Sequence, residues 1–213
     1  MEAVKLLICR EWRQVQAFPR FWLAALGLSL LLATATPTML LAHYVASFAL
    51  LSAPFFALGN PATAAGALTL PVTRRQIVAA TYLWVGLEVV GLTAAMSLWN
   101  LAARAVLPFP LPLLLPNPLG LGTAGAVQTC LAAAVLGVLA PLHLKLGQRG
   151  KLVEVFCYLA GFFGAIQLLR QLPREGVWAL PPAACLGLYL AAALLWVGSY
   201  RLTARLYARW ELS

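Results

Sequence analysis

The sequence contains no aspartate, and its six acidic residues are all glutamates: Glu2, Glu11, Glu88, Glu154, Glu175 and Glu211. That scarcity argues against chemistry built on Asp clusters, such as magnesium-dependent lipid phosphotransfer. Charge of any kind is sparse. Only 10% of the 213 residues are charged, against about a quarter in a soluble domain, while 62% are hydrophobic and mean hydropathy is +0.87. The four cysteines, Cys9, Cys130, Cys157 and Cys185, form no C-x-x-C pair, so neither a zinc site nor a disulfide framework is indicated. The two histidines, His43 and His143, are isolated and read as interfacial or structural residues rather than ligands. No H-E-x-x-H run occurs. Gly147-Gln148-Arg149-Gly150-Lys151-Leu152 fails the phosphate-loop pattern in spacing and in its final hydroxyl. Gly198-Ser199 has no histidine near it in sequence and is a poor nucleophile site. The expectation is a chain with no catalytic residue, no metal and no cofactor of its own.

What is present is an all-α integral membrane protein with six expected spans, at about 21–36, 38–59, 76–103, 119–143, 152–172 and 177–199. Residues 2–17 precede them as an amphipathic helix. Val4, Ile8, Trp12 and Val15 form one stripe, with Lys5, Arg10, Arg13, Gln14 and Gln16 around it, which suits a membrane–water interface. Prolines 108, 110, 112, 116 and 118 forbid an ordinary helix between the third and fourth spans and mark an external loop at the interface. A basic tail, 200–213, carries Arg201, Arg205 and Arg209 on one helical stripe. This layout places twelve of the fifteen Lys and Arg on one side of the bilayer and three, Arg104, Arg170 and Arg174, on the other. Positive charge sorts to the cytoplasm, so both termini are expected there.

The stretch from Asn60 to Val78 is the least membrane-like part of the first half. Within it, Thr73-Arg74-Arg75-Gln76 reads as a capping box: the Thr73 hydroxyl accepts from Gln76 N–H, and the Gln76 side chain reaches back to Thr73 N–H. Pro71 lies too close to belong to the interior of the same helix. A helix therefore starts near Thr73 with two arginines in its first turn, which is unfavourable for its own dipole. Anionic lipid headgroups, a protein partner, or plain charge sorting each supply a reason for them. Glu88 is the one strong polar anomaly inside a span. A carboxylate at mid-bilayer costs roughly 2.5–3.5 kcal/mol on insertion scales. Its neighbours Thr81, Gly91 and Ala95 are small, so the expected position is against other helices. It reads either as a pathway or proton-relay residue or as a structural glutamate held within the bundle.

With Leu70-Pro71-Val72-Thr73-Arg74-Arg75-Gln76-Ile77-Val78 after the second span, an N-terminal interfacial helix and cytoplasmic ends, the chain resembles the permease subunits of type-2 ATP-binding-cassette exporters. In that family a leucine–proline–valine–serine/threonine–arginine run adjoins the helix that docks on a separate ATPase. The layout of the whole chain carries the resemblance, and its specific motif spans about nine residues. Acidic residues common upstream of the run in that family are absent from Asn60–Thr69. The resemblance implies a homodimer with two ATPase subunits, which bring ATP and magnesium, in a bacterial plasma membrane and with no nucleic-acid partner. It implies a coupling segment at 60–75, with Leu68, Leu70, Pro71, Thr73, Arg74, Arg75 and Gln76 as its contacts. It also implies a dimer face near the first and fifth spans, where Gly161 and Gly164 are candidate contacts. Substrates of small members include amphipathic toxin peptides, lantibiotics and hydrophobic drugs. The alternatives are a substrate-binding subunit of an energy-coupling vitamin importer, and a membrane-embedded enzyme or structural membrane protein.

Overall fold

The computed structural model describes residues 72–106, 120–146 and 179–209, together with positions 6–9, 23, 24, 26, 27, 55 and 58 and ten positions between 152 and 167. All of its regular structure in these residues is helical. Three helices are long and apolar enough to cross a membrane. They are α1, Arg74–Val106; α2, Leu121–Leu146; and α3, Pro182–Arg209. Most of the spans expected at 21–36 and 38–59, and most of the interfacial helix at 2–17, lie outside the described residues.

Each helix starts for a local reason. Thr73 caps α1. The Gly120 carbonyl accepts the Ala124 N–H at 2.8 Å and opens α2. The Pro181 carbonyl accepts from Ala184 and Cys185 at 2.9 and 3.1 Å, with Pro182 as the first residue of α3. Proline suits that position because its missing N–H has no intrahelical partner there. This start lies five residues after the expected one at 177, since a helix begun at Val177 would carry Pro181 and Pro182 in its interior. At its other end α3 runs on through Arg209, so the stretch expected as a separate tail continues the same helix. Nothing between Ser199 and Arg209 breaks it: there is no Gly or Pro, and Leu, Ala and Arg are good helix formers.

The helices pack with fixed directions. Thr123 accepts from Leu180 N–H, Gly125 faces Tyr189, and Gly137 touches Ser199, so α2 and α3 run parallel. Arg74 at the start of α1 meets the end of α3, so α1 is antiparallel to both. Glycine permits a close α2–α3 approach: a Cβ on Gly137 would stand 3.4 Å from Ser199 Cβ and 3.9 Å from the Leu195 carbonyl. Small residues at such crossings let backbones approach in a medium that gives apolar side chains no reason to prefer protein over lipid. The core runs through Val78, Tyr82, Val85 and Met96 of α1, Leu136 and Leu139 of α2, and Tyr207 of α3, and takes in Leu7, Phe55 and Leu58.

Candidate functional site

The capping box forms. Thr73 N–H donates to Gln76 Oε1 at 2.8 Å, and Gln76 N–H reaches Thr73 Oγ1 at 3.3 Å. Gln76 and Ile77 N–H also meet the Thr73 carbonyl at 2.9 and 3.1 Å. Four residues of the expected coupling set, Thr73, Arg74, Arg75 and Gln76, are thereby held at the start of a continuous helix. Leu68, Leu70 and Pro71 lie outside the described residues. The two arginines diverge. Arg75 is exposed. Arg74 donates from Nη1 to the carbonyls of Tyr207 and Ala208 at 3.4 and 3.3 Å. Those carbonyls belong to the last turn of α3, which lacks intrahelical donors and carries the negative end of the helix dipole. An arginine that is poorly placed for its own helix is therefore well placed for its antiparallel neighbour.

A little over two turns further along α1, Tyr82 reaches α3 through its hydroxyl. It stands 2.6 Å from Ser199 Oγ and 2.7 Å from Thr203 Oγ1. Ser199 Oγ in turn donates to the Gly137 carbonyl of α2. A carbonyl only accepts, so the Ser199 proton is committed to it. Tyr82 must then donate to Ser199, and Thr203 to Tyr82. One directed chain of hydroxyls, Thr203 to Tyr82 to Ser199 to Gly137, thus joins all three helices. The reason for its last link lies in the sequence of α2. In an α-helix the Gly137 carbonyl would accept from the N–H of residue 141. Residue 141 is proline, inside the helix, with no N–H to give. Ser199 supplies the missing donor, as apolar surroundings require when proline frees a backbone group. Elsewhere the hydroxyls turn back on their own helices: Thr81 to Ile77, Ser97 to Thr93 and Thr129 to Gly125.

Aromatic rings surround the relay. Tyr82 packs edge-on against Phe55 and Trp196 at 5.1 Å and against Tyr200 at 5.7 Å. Phe55 also meets Trp196 at 6.2 Å. Such pairs add about 0.5–1.5 kcal/mol each beyond simple burial. Beside this cluster, an apolar cavity of about 200 Å³ opens between the helices, lined by Gly86 and Val89 of α1, Thr129 and Ala133 of α2, and Tyr189 and Trp196 of α3.

The remaining expected site residues fall elsewhere. Glu88 is half-buried, and its Oε2 is shielded from solvent. Gly161 is half-buried, while Gly164 is exposed with open space where a Cβ would stand. Leu152, Phe156, Leu159 and Phe163 near them are exposed. Sequence reasoning missed Tyr82, Ser199 and Thr203. The G-x-x-x-P spacing of Gly137 and Pro141 was the available signal that a donor was needed at that carbonyl. It does not say which helix supplies one. Comparison with protein-family models, with curated proteins and with solved structures returns no match to this chain.

Proposed function

We propose that the chain is the membrane-spanning permease subunit of an ATP-driven exporter. It works in a bacterial plasma membrane as a homodimer with two separate ATPase subunits, and it carries an amphipathic or hydrophobic substrate. The observation that carries this reading is the junction at Thr73. The expected coupling segment, 60–75, ends in Thr73, Arg74 and Arg75, the cap and first turn of a helix whose first arginine grips the end of α3 and whose third turn, at Tyr82, opens the hydroxyl relay to α2. A force applied to that segment is passed to three helices together, which is what coupling to a motor subunit requires. Arg74 is occupied within the subunit, so the partner or lipid phosphate contact falls to the exposed Arg75 and to apolar Leu68 and Leu70.

The test is copurification of the ATPase and substrate-stimulated ATP hydrolysis with Leu68→Asp and with Arg75→Ala. A carboxylate buried without a partner is costly, so Leu68→Asp loses the ATPase while the chain still inserts. Arg75→Ala weakens the association by a smaller factor. If both variants insert and keep wild-type ATPase binding and turnover, the coupling role is wrong. Failure of any ATPase to copurify with the wild-type chain removes the exporter reading itself.

A further inference from the structure

At its basic end α3 turns two different faces in opposite directions. Thr203 and Tyr207 are buried, and Thr203 bonds Tyr82 of α1. Arg201, Arg205 and Arg209 are all exposed. At 100° per residue the three arginines fall within an arc of about 80°, centred about 180° from the midpoint of Thr203 and Tyr207. They therefore point away from α1 and the bundle. Among the described residues no hydrogen bond or ion pair holds any of the three, and the one acidic residue there, Glu88, is half-buried on α1.

Two local explanations leave the stripe unaccounted for. The helix dipole favours cations in the last turn, which holds Arg209 but neither Arg201 nor Arg205. Charge sorting requires cations on one side of the membrane, not on one face of one helix, and like charges four residues apart destabilise the helix that carries them. An anion outside the bundle removes that repulsion.

Depth and surroundings identify the anion. The uncharged run of α3 from Pro182 to Tyr200 is about 28 Å long, close to a hydrocarbon core of about 30 Å. Arg201 then stands at the edge of the core and Arg205 about 6 Å beyond it, within the layer of headgroups. Deeper in the same arc lie Gly198, with open space where a Cβ would stand, and Leu194, 74% exposed. With Leu202 exposed on the other side of Gly198, they form a notch that leads from the arginines into the apolar layer. Only 6% of the most apolar window of α3 is buried within the protein, so this face meets lipid.

We propose that the stripe binds an anionic phospholipid, with Arg201 and Arg205 on its phosphate and one acyl chain lying over Gly198 and Leu194. Guanidinium groups match phosphate oxygens in geometry and charge. A zwitterionic lipid fits less well, because its ammonium brings a further cation to a row of arginines. The site does not depend on the exporter reading.

The test uses the purified full-length chain in micelles of an uncharged detergent. Three probes are titrated: dioleoyl phosphatidylglycerol, dioleoyl phosphatidylcholine, and glycerol phosphate, which supplies the anion without chains. Binding is followed by the shift in thermal unfolding temperature. Phosphatidylglycerol raises it at concentrations where the other two do not. Without probe, Arg201→Gln/Arg205→Gln unfolds no lower than wild type, because these side chains have no partner in the subunit. It binds phosphatidylglycerol about thirtyfold more weakly, the effect of removing two arginines at a membrane surface. Arg201→Lys/Arg205→Lys keeps both charges and most of the affinity. Gly198→Leu fills the notch and weakens binding by less than the loss of the arginines. Equal shifts from phosphatidylglycerol and either other probe, or wild-type affinity in the glutamine variant, overturns the proposal. If that variant instead loses a copurifying ATPase while keeping its lipid affinity, the stripe belongs to a protein contact and the lipid site is wrong. Loss of lipid affinity with no ATPase ever copurifying keeps the site and removes the exporter.

Discussion

Helices α2 and α3 are near neighbours in length and apolarity and pack side by side, yet their surroundings differ sharply. Across its most apolar window α2 is 44% buried within the protein, while α3 is 6% buried. Leu136 of α2 is fully enclosed, and Leu194 of α3 is 74% exposed. Hydropathy cannot separate the two because lipid is as apolar as a protein interior. The polar residues do separate them. On α2, Thr123, Gln128 and His143 are buried along the helix, whereas on α3 burial reaches a polar side chain only at the basic end, at Thr203 and Tyr207. In a membrane bundle the inside face is marked by its small and polar residues rather than by its leucines.

The largest expected effect tests this directly. Leu136→Ala leaves a void that neighbouring helices fill only in part. It should cost about 2 kcal/mol of stability in detergent, the packing contribution without the water-transfer contribution. Next comes Ser199→Ala, which strips the donor from the Gly137 carbonyl and the acceptor from Tyr82. It should cost about 1–2 kcal/mol. The cause is checked by a double-mutant cycle. In a Pro141→Ala background residue 141 regains its N–H and bonds Gly137 itself, so Ser199→Ala should cost about 1 kcal/mol less there. Additive losses would show that the serine does not stand in for the proline's missing donor.

Smaller effects belong to the edges. Arg74→Ala removes a cation from the last turn of α3 and should cost about 0.3–1 kcal/mol. Amide hydrogen exchange should rise at 205–209 and stay unchanged at 182–195, because the effect is confined to the final turn. Smallest of all is Leu194→Ala, expected within about 0.5 kcal/mol for a side chain that faces lipid in the single subunit. A loss as large as that of Leu136→Ala would mean that a second copy covers this face. The contrast between α2 and α3 would then hold within one subunit and vanish in the dimer.

The sequence reveals some of this and conceals the rest for identifiable reasons. The start of α1 was legible because a capping box is a local pattern whose partners lie three residues apart. The spans expected around α1, α2 and α3 were legible because a run of apolar residues long enough to cross a bilayer has few competing readings. The beginning of α3 was misplaced because hydropathy alone carried the reading past Pro181 and Pro182. Its continuation to Arg209 was hidden because three arginines mark the end of an apolar run without marking the end of a helix. Arg74 presented a local conflict whose resolution lies more than 130 residues away in the chain. The pairing of Ser199 with Gly137 is equally non-local. Spacing shows that a carbonyl lacks a donor, but only packing shows who supplies it.

The length of α3 has a consequence for the choice of membrane. Twenty-eight residues make a rod of about 42 Å, against a hydrocarbon core of about 30 Å. If Pro182 sits at one boundary of that core, the other falls near residue 202. Ser199 and Thr203 then straddle it, and the hydroxyl relay lies at the edge of the oily layer rather than at its centre. Acyl-chain length becomes a control on the contact between α2 and α3. Thinner bilayers bring water first to Thr203 and then to Ser199, where it competes for the Gly137 carbonyl. Reconstitution across a series of lipids of increasing chain length should show the wild-type chain gaining stability up to a matched thickness, with Ser199→Ala nearly indifferent to the series.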